Sequence, residues 1–118
     1  MSKLSLDEYI ENEIATAGGL LIAGDTDGAF RHLERAHVLG QASTYQHTRV
    51  HWLMLKHGMR ERDGKEIAGQ ILRIGGAAAK TPLGIYPKGN TGGANVNPLR
   101  SMPIEPDLAE ILESAERK

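Results

Sequence analysis

Apolar residues recur at three-and-four spacing through the first two thirds of the chain, which is the signature of helices with one buried face. Ser5 is a good N-cap, and Glu8 three residues on completes a capping-box pattern. Tyr9, Ile10, Ile14, Ala17 and Leu21 then form a stripe to about Ala23, with Gly18 and Gly19 weakening the middle by about 1 kcal/mol each relative to alanine. Gly24, Asp25, Thr26 and Asp27 read as a turn in which Asp25 or Thr26 caps a second helix carrying Ala29, Phe30, Leu33, Ala36 and His37 as far as Gly40. A third helix is predicted from Ser43 or Thr44 through Val50, Leu53 and Met54 to Gly58. A fourth is capped by Asp63 and carries Ile67, Ile71, Ile74 and Ala78, its end loosened by Gly75 and Gly76.

Short connections favour antiparallel neighbours. The expected fold is therefore all-α: two antiparallel helical hairpins, tetratricopeptide-like in the Gly-Asp turn and the small-large-small order of Ala29, Leu33 and Ala36. No second copy stands at a period of about 34 residues, so this is a repeat-like hairpin and not a repeat array. Between Thr81 and Pro106 the pattern breaks. All five prolines of the chain fall there, with the run Gly89, Asn90, Thr91, Gly92, Gly93, and neither helix nor central strand is expected. Ile85, Tyr86, Val96, Leu99, Met102 and Ile104 are available to anchor this long Gly/Pro-rich loop to the domain as an ordered wrap. A short C-terminal helix follows from about Pro106 to Arg117, with Leu108, Ile111 and Leu112 on one face. The 118 residues make one domain, 1–118, with 81–106 an irregular loop within it.

Composition narrows the chemistry. There is no cysteine, which excludes thiolate metal sites, disulfides and a cysteine nucleophile, and fits a cytoplasmic setting. With 14 basic against 15 acidic residues, no broad cationic field exists to grip phosphates, so nucleic acid is disfavoured as a partner. The polar start from Met1 to Tyr9 does not resemble a signal peptide, and no apolar run approaches membrane-spanning length. No serine–histidine–acid arrangement is defensible, and the expectation leans away from an enzyme.

Histidines supply the leading candidate. Projected at about 100° per residue, His37 falls in the same sector as Phe30, Leu33 and Gly40. His47 and His51, one turn apart, share a flank with Val50 and Met54, opposite Tyr45, Arg49, Trp52 and Lys56. Histidines at i and i+4 bring two imidazoles to chelating distance. The seam between helices two and three thus could receive His37, His47 and His51, with Glu34 as a further ligand in a Glu-x-x-His spacing and Gln41 behind them. One transition-metal ion, iron, zinc or copper, is the implied cofactor. A bundle-type dinuclear centre would need further carboxylates from Glu11 or Glu13. The plainer alternative is that these histidines hydrogen-bond across helices. His32 and His57 look like edge and helix-end residues.

Two other readings stand beside the metal. Gly89, Asn90, Thr91, Gly92 and Gly93 could curl their N–H groups around a small anion, near Lys88 or Arg100, although tight turns explain the glycines as well. Alternatively the hairpins present a groove to a protein partner or a second copy, with Tyr45 and Trp52 as anchors; Trp52 packed beneath the long loop is the plainer version.

Leu33, Glu34, Arg35, Ala36 and His37, then Gly40 and Gln41, His47 and His51, Gly89 to Gly93, and Met102, Pro103 and Ile104 together resemble the bacterial "domain of unknown function 3703" proteins. The resemblance spans about Tyr9 to Leu112. It implies a compact bacterial protein whose loop belongs to the domain, and it brings no catalytic residues, because the family has no assigned activity.

Overall fold

A computed structural model describes residues 4–84, 87–97 and 100–116, with the side chains of Lys80, Pro82 and Glu116 left aside. Among the described residues the chain is all-helical. It runs α1 (Leu6–Ile22), α2 (Thr26–Gly40), α3 (Thr44–Glu61) and α4 (Gly64–Lys80), then a short 3-10 turn (Thr81–Leu83) and α5 (Pro106–Glu116). The expected loop anchors Ile85, Tyr86 and Leu99, and the expected helix end at Arg117, lie outside the described residues.

Each long helix begins where a side chain can accept from its otherwise unpaired first-turn N–H groups. Ser5 accepts from the Glu8 N–H while the Glu8 carboxylate accepts from the Ser5 N–H, completing the capping box. Asp25, Ser43 and Asp63 cap α2, α3 and α4 by accepting from Gly28, Gln46 and Glu66. Gly58 does not end α3, as its type had suggested. The helix continues to Glu61 and stops on Arg62 in the left-handed region. Gly58 instead lets α4 approach, since a Cβ there would lie 3.2 Å from the Glu66 side chain.

α1 packs chiefly against α2, α3 against α4, and α2 against α3, while α5 lies across α2 and α1. Ile10, Ala17, Ala29, Leu33, Ala36, Leu39, Val50, Met54 and Leu108 form the shared core. Around it, Arg35 of α2 joins Glu13 of α1 to Glu105 and Asp107 at the start of α5, so the last helix is tied to α1 and α2 by charge as well as by Leu108. Glu11, meanwhile, is paired with Arg49. Neither carboxylate is available for a dinuclear centre.

α4 departs from its expected orientation. Ile71 and Leu72 are exposed, and the buried positions are Glu66, Gln70 and Ala77. The helix therefore turns a polar stripe inward, which costs stability unless every buried group finds a partner. Those partners lie around the three histidines.

Candidate metal centre

α2 brings His37, and successive turns of α3 bring His47 and His51, to one point in the seam between these helices. All three are buried, 2%, 6% and 3% exposed. Nε2 of His37 lies 3.0 Å from Nε2 of His51 and 3.1 Å from Nε2 of His47, and the ring centroids are 4.5 to 4.9 Å apart. Two imidazole nitrogens on one ion at about 2.0–2.1 Å stand roughly 2.9–3.4 Å apart, depending on the angle. The observed spacings fall in that range.

The outer nitrogens decide which tautomer each ring adopts. Nδ1 of His37 lies 2.6 Å from the carbonyl oxygen of Asn90, which can only accept, so His37 carries its proton on Nδ1. Nδ1 of His51 lies 2.6 Å from Oε1 of Gln70. The Gln70 amide is oriented by its other end, where Nε2 donates to the Glu66 carboxylate at 2.6 Å and to the Gly92 carbonyl at 2.8 Å. His51 therefore also donates from Nδ1. His47 meets the Thr81 hydroxyl at 2.8 Å through Nδ1, completing the set. The Thr81 hydroxyl, which both donates and accepts, lets His47 carry its proton on either nitrogen. The Nδ1 protons of His37 and His51 leave their Nε2 lone pairs facing each other at 3.0 Å with no proton between them. Such a contact is repulsive unless a cation sits among them.

A proton is a poor candidate for that cation. Burial pushes His47 and His51 down to about 4. His37 is held well below the ordinary imidazole range by burial first and by its two neighbours second. Neutral imidazoles whose second nitrogen is held by a hydrogen bond are the form in which histidine ligates metal. Among the described residues, the group of side chains able to share one ion is His37, His47 and His51.

The proton arrangement is directly checkable. Long-range nitrogen–proton correlation spectra of the metal-free protein at neutral pH should show the Nδ1–H tautomer for His37 and His51. Nε2–H signals for either would contradict the site as described.

Glu34 is not in this group. It is half-buried in a separate pocket with Arg31, Arg35, Thr91 and Glu105, where burial raises its carboxyl and the nearby Thr91 hydroxyl partly offsets that. One helical turn before His37 sets it beside the loop and off the imidazole edge, and its expected role as a ligand is corrected accordingly. The hydrogen bonds of Gln41 go to the loop and not to a histidine. Its amide donates to the Pro87 carbonyl and accepts from the Gly89 N–H, both at 2.8 Å, so it fastens the start of the loop segment that supports His37.

The expected anion cradle is also corrected. The Gly89, Asn90 and Gly92 N–H groups are already used within the chain, by Gln41, Pro87 and the Asn90 side chain. The Asn90 amide further donates to the carbonyls of Asn97 and Arg100, pinning the loop to itself. Gly92, at φ +88°, lies flat on the His37 ring, and Gly93 lies on Phe30. The loop covers His37. Trp52 does not pack beneath it; like Tyr45, it is exposed on the outer face of α3. His32 pairs with Glu13, and His57 donates to the Thr26 carbonyl, both away from the cluster.

Sequence reasoning missed Gln70 and Glu66, gave Thr81 no part in the site, and placed Asn90 only in the candidate anion loop. The available signal was polar: Glu66, Gln70, Ala77 and Thr81 recur at helical spacing beside the isoleucines, and they are the residues of this segment that are buried.

No curated protein and no solved structure matches the chain. A family model described as "Protein of unknown function (DUF3703)" matches residues 4–112, so nearly the whole described fold, covering loop included, lies within it. The chain belongs to the DUF3703 family.

Proposed function

We propose that this protein binds one transition-metal ion through Nε2 of His37, His47 and His51. The observation that carries the reading is the convergence of three buried imidazoles whose outer nitrogens are all engaged, two of which, His37 and His51, bring their Nε2 lone pairs together at 3.0 Å without a proton. Gln70, Thr81 and the Asn90 carbonyl position the rings, and the Gly89 to Gly93 segment closes the site from solvent. The frame for this is a pair of antiparallel, tetratricopeptide-like helical hairpins, whose facing helices α2 and α3 supply all the ligands. A buried ion held this way suits a metal carrier, buffer or sensor acting in the cytoplasm better than it suits an enzyme, because all three ligand side chains are buried. No helix among the described residues is long and apolar enough to cross a membrane.

Elemental analysis of untagged protein purified without chelators or immobilised metal, followed by titration of the metal-free form with iron(II), zinc and copper, tests this. About one equivalent of ion is expected, lost when His47 and His51 are replaced together by alanine in a variant whose helical circular dichroism is retained. Unchanged stoichiometry in that variant, or no binding tighter than about micromolar in the parent, would remove the proposal. The exposed Tyr45, Trp52 and Met59, at seven-residue spacing along α3, keep a protein partner or homodimer as a second reading. Sedimentation of the parent and of Trp52→Glu would test it.

A further inference from the structure

We infer that the ion this site selects is monovalent and soft, copper(I) in kind, and not a divalent cation such as zinc(II). The inference rests on the metal-site reading above and concerns the charge of the ion. The ligands are three neutral imidazoles. Their outer partners are a backbone carbonyl, a hydroxyl and a side-chain amide, all neutral, where many metal-binding histidines have a carboxylate.

Two ionised groups of opposite sign flank the site. The Glu66 carboxylate lies one hydrogen bond beyond Gln70 and accepts from the Ala94 N–H. The Arg73 guanidinium, held by the carbonyls of Gly69 and Val96, acts on His37, on His51 and on Glu66. Glu66 and Arg73 attract one another, but of the two it is Arg73 that acts on the histidines, and its positive charge further disfavours a divalent ion there. Glu34, a half-buried carboxyl one turn before His37, faces its own pocket with Arg31.

A divalent ion would therefore carry two uncompensated charges into a site whose ligands are at most 6% exposed. Because the Born cost grows with the square of the charge, desolvating it costs about four times as much as desolvating a monovalent ion of the same size. Zinc centres built on three histidines keep a fourth position for water or hydroxide, and hydroxide brings a compensating charge. Copper(I) needs neither, since three nitrogen donors complete its coordination. Imidazole accepts copper as well as zinc, so charge becomes the deciding factor. Met54, fully buried with its sulfur 3.4 Å from the Gln70 amide, gives the neighbourhood a polarisable apolar wall in place of a charged one.

Silver(I) is a suitable probe, because it has the charge and softness of copper(I) and undergoes no redox change in buffer. Metal-free protein in chloride-free buffer is titrated with silver(I) and with zinc(II), separately and in competition. The expected result is one silver(I) per chain, preferred over zinc(II) by about 100-fold or more. Arg73→Met should narrow that preference by about tenfold, since it leaves Glu66 uncompensated and makes the site more welcoming to a divalent ion. Zinc(II) binding as tightly as silver(I), or an unchanged preference in Arg73→Met, overturns the charge argument and leaves the metal site standing. Silver(I) binding that persists in His47→Ala overturns the inference by placing the ion elsewhere. Binding of neither ion overturns the metal reading itself.

Discussion

Gly92→Ala is expected to destabilise the protein by about 2–4 kcal/mol and to weaken metal binding by about 10–100-fold, although residue 92 contributes no ligand atom. Two effects combine. The backbone at Gly92 sits at φ +88°, where an L side chain is strained, and a Cβ there would lie 2.5 Å from the His37 ring. The ring cannot yield, because Nδ1 is held by the Asn90 carbonyl and Nε2 points into the cluster. The loop must move instead, and moving it withdraws both the Asn90 carbonyl and the Gly92 carbonyl that orients Gln70. Gly24→Ala is the control. It has nearly the same φ, +90°, but nothing within 4 Å of the added carbon, so it isolates backbone strain. Thermal unfolding and metal titration of both variants decide the matter. If Gly92→Ala loses no more stability than Gly24→Ala and keeps parental affinity, the loop does not seat on His37.

The second large effect is acid sensitivity of the metal-free protein. In the folded state His47 and His51 are pushed down to about 4 and His37 is held well below the ordinary range, whereas the unfolded chain protonates them near the ordinary value of 6.5. The unfolded state therefore binds more protons than the folded state below that value, and stability rises with pH through this window. Lowering the pH from 6.5 to about 5 should cost on the order of 1–2 kcal/mol for each of His47 and His51, with His37 adding in the same direction. The window stays above the range where Asp107 and Glu11, both held low by arginine partners, lose their charge. A bound ion replaces the missing proton, so saturating metal should flatten the curve over the upper part of the window, until protons compete the ion away. Denaturant unfolding at a series of pH values, with and without metal, gives both curves. A flat metal-free profile between 6.5 and 5 would mean that the imidazoles are not buried together as neutral rings.

The two predictions separate what the loop does from what the histidines do. Gly92 tests whether the loop's backbone is part of the site. The pH profile tests the cluster's electrostatics without any substitution. Both depend on features that lie dozens of residues apart in sequence, which is where reading the chain by itself began to fail.

The sequence by itself determined the helices, their caps and the three histidines, because those are local properties. Ser5, Asp25 and Asp63 cap as their side-chain types dictate, and the three-and-four spacing of Leu33, Val50 and Met54 directs one face of α2 and α3 inward. His37, His47 and His51 share those faces, so their approach to a common seam follows from helical period alone. The tertiary structure decided everything that depends on partners distant in sequence. It turned α4 so that Gln70 and Glu66 face the core while Ile71 and Leu72 face solvent, a choice apolar periodicity cannot anticipate when buried polar groups are satisfied across helices. It left Glu34 outside the cluster, since a residue one turn before His37 meets the loop and α5 instead of the neighbouring histidines. It also converted Gly89 to Gly93 from a candidate anion cradle into the cover of the site. A glycine run specifies only that the backbone is free to adopt unusual angles and to approach closely, and what it approaches is set by the packing of the other helices.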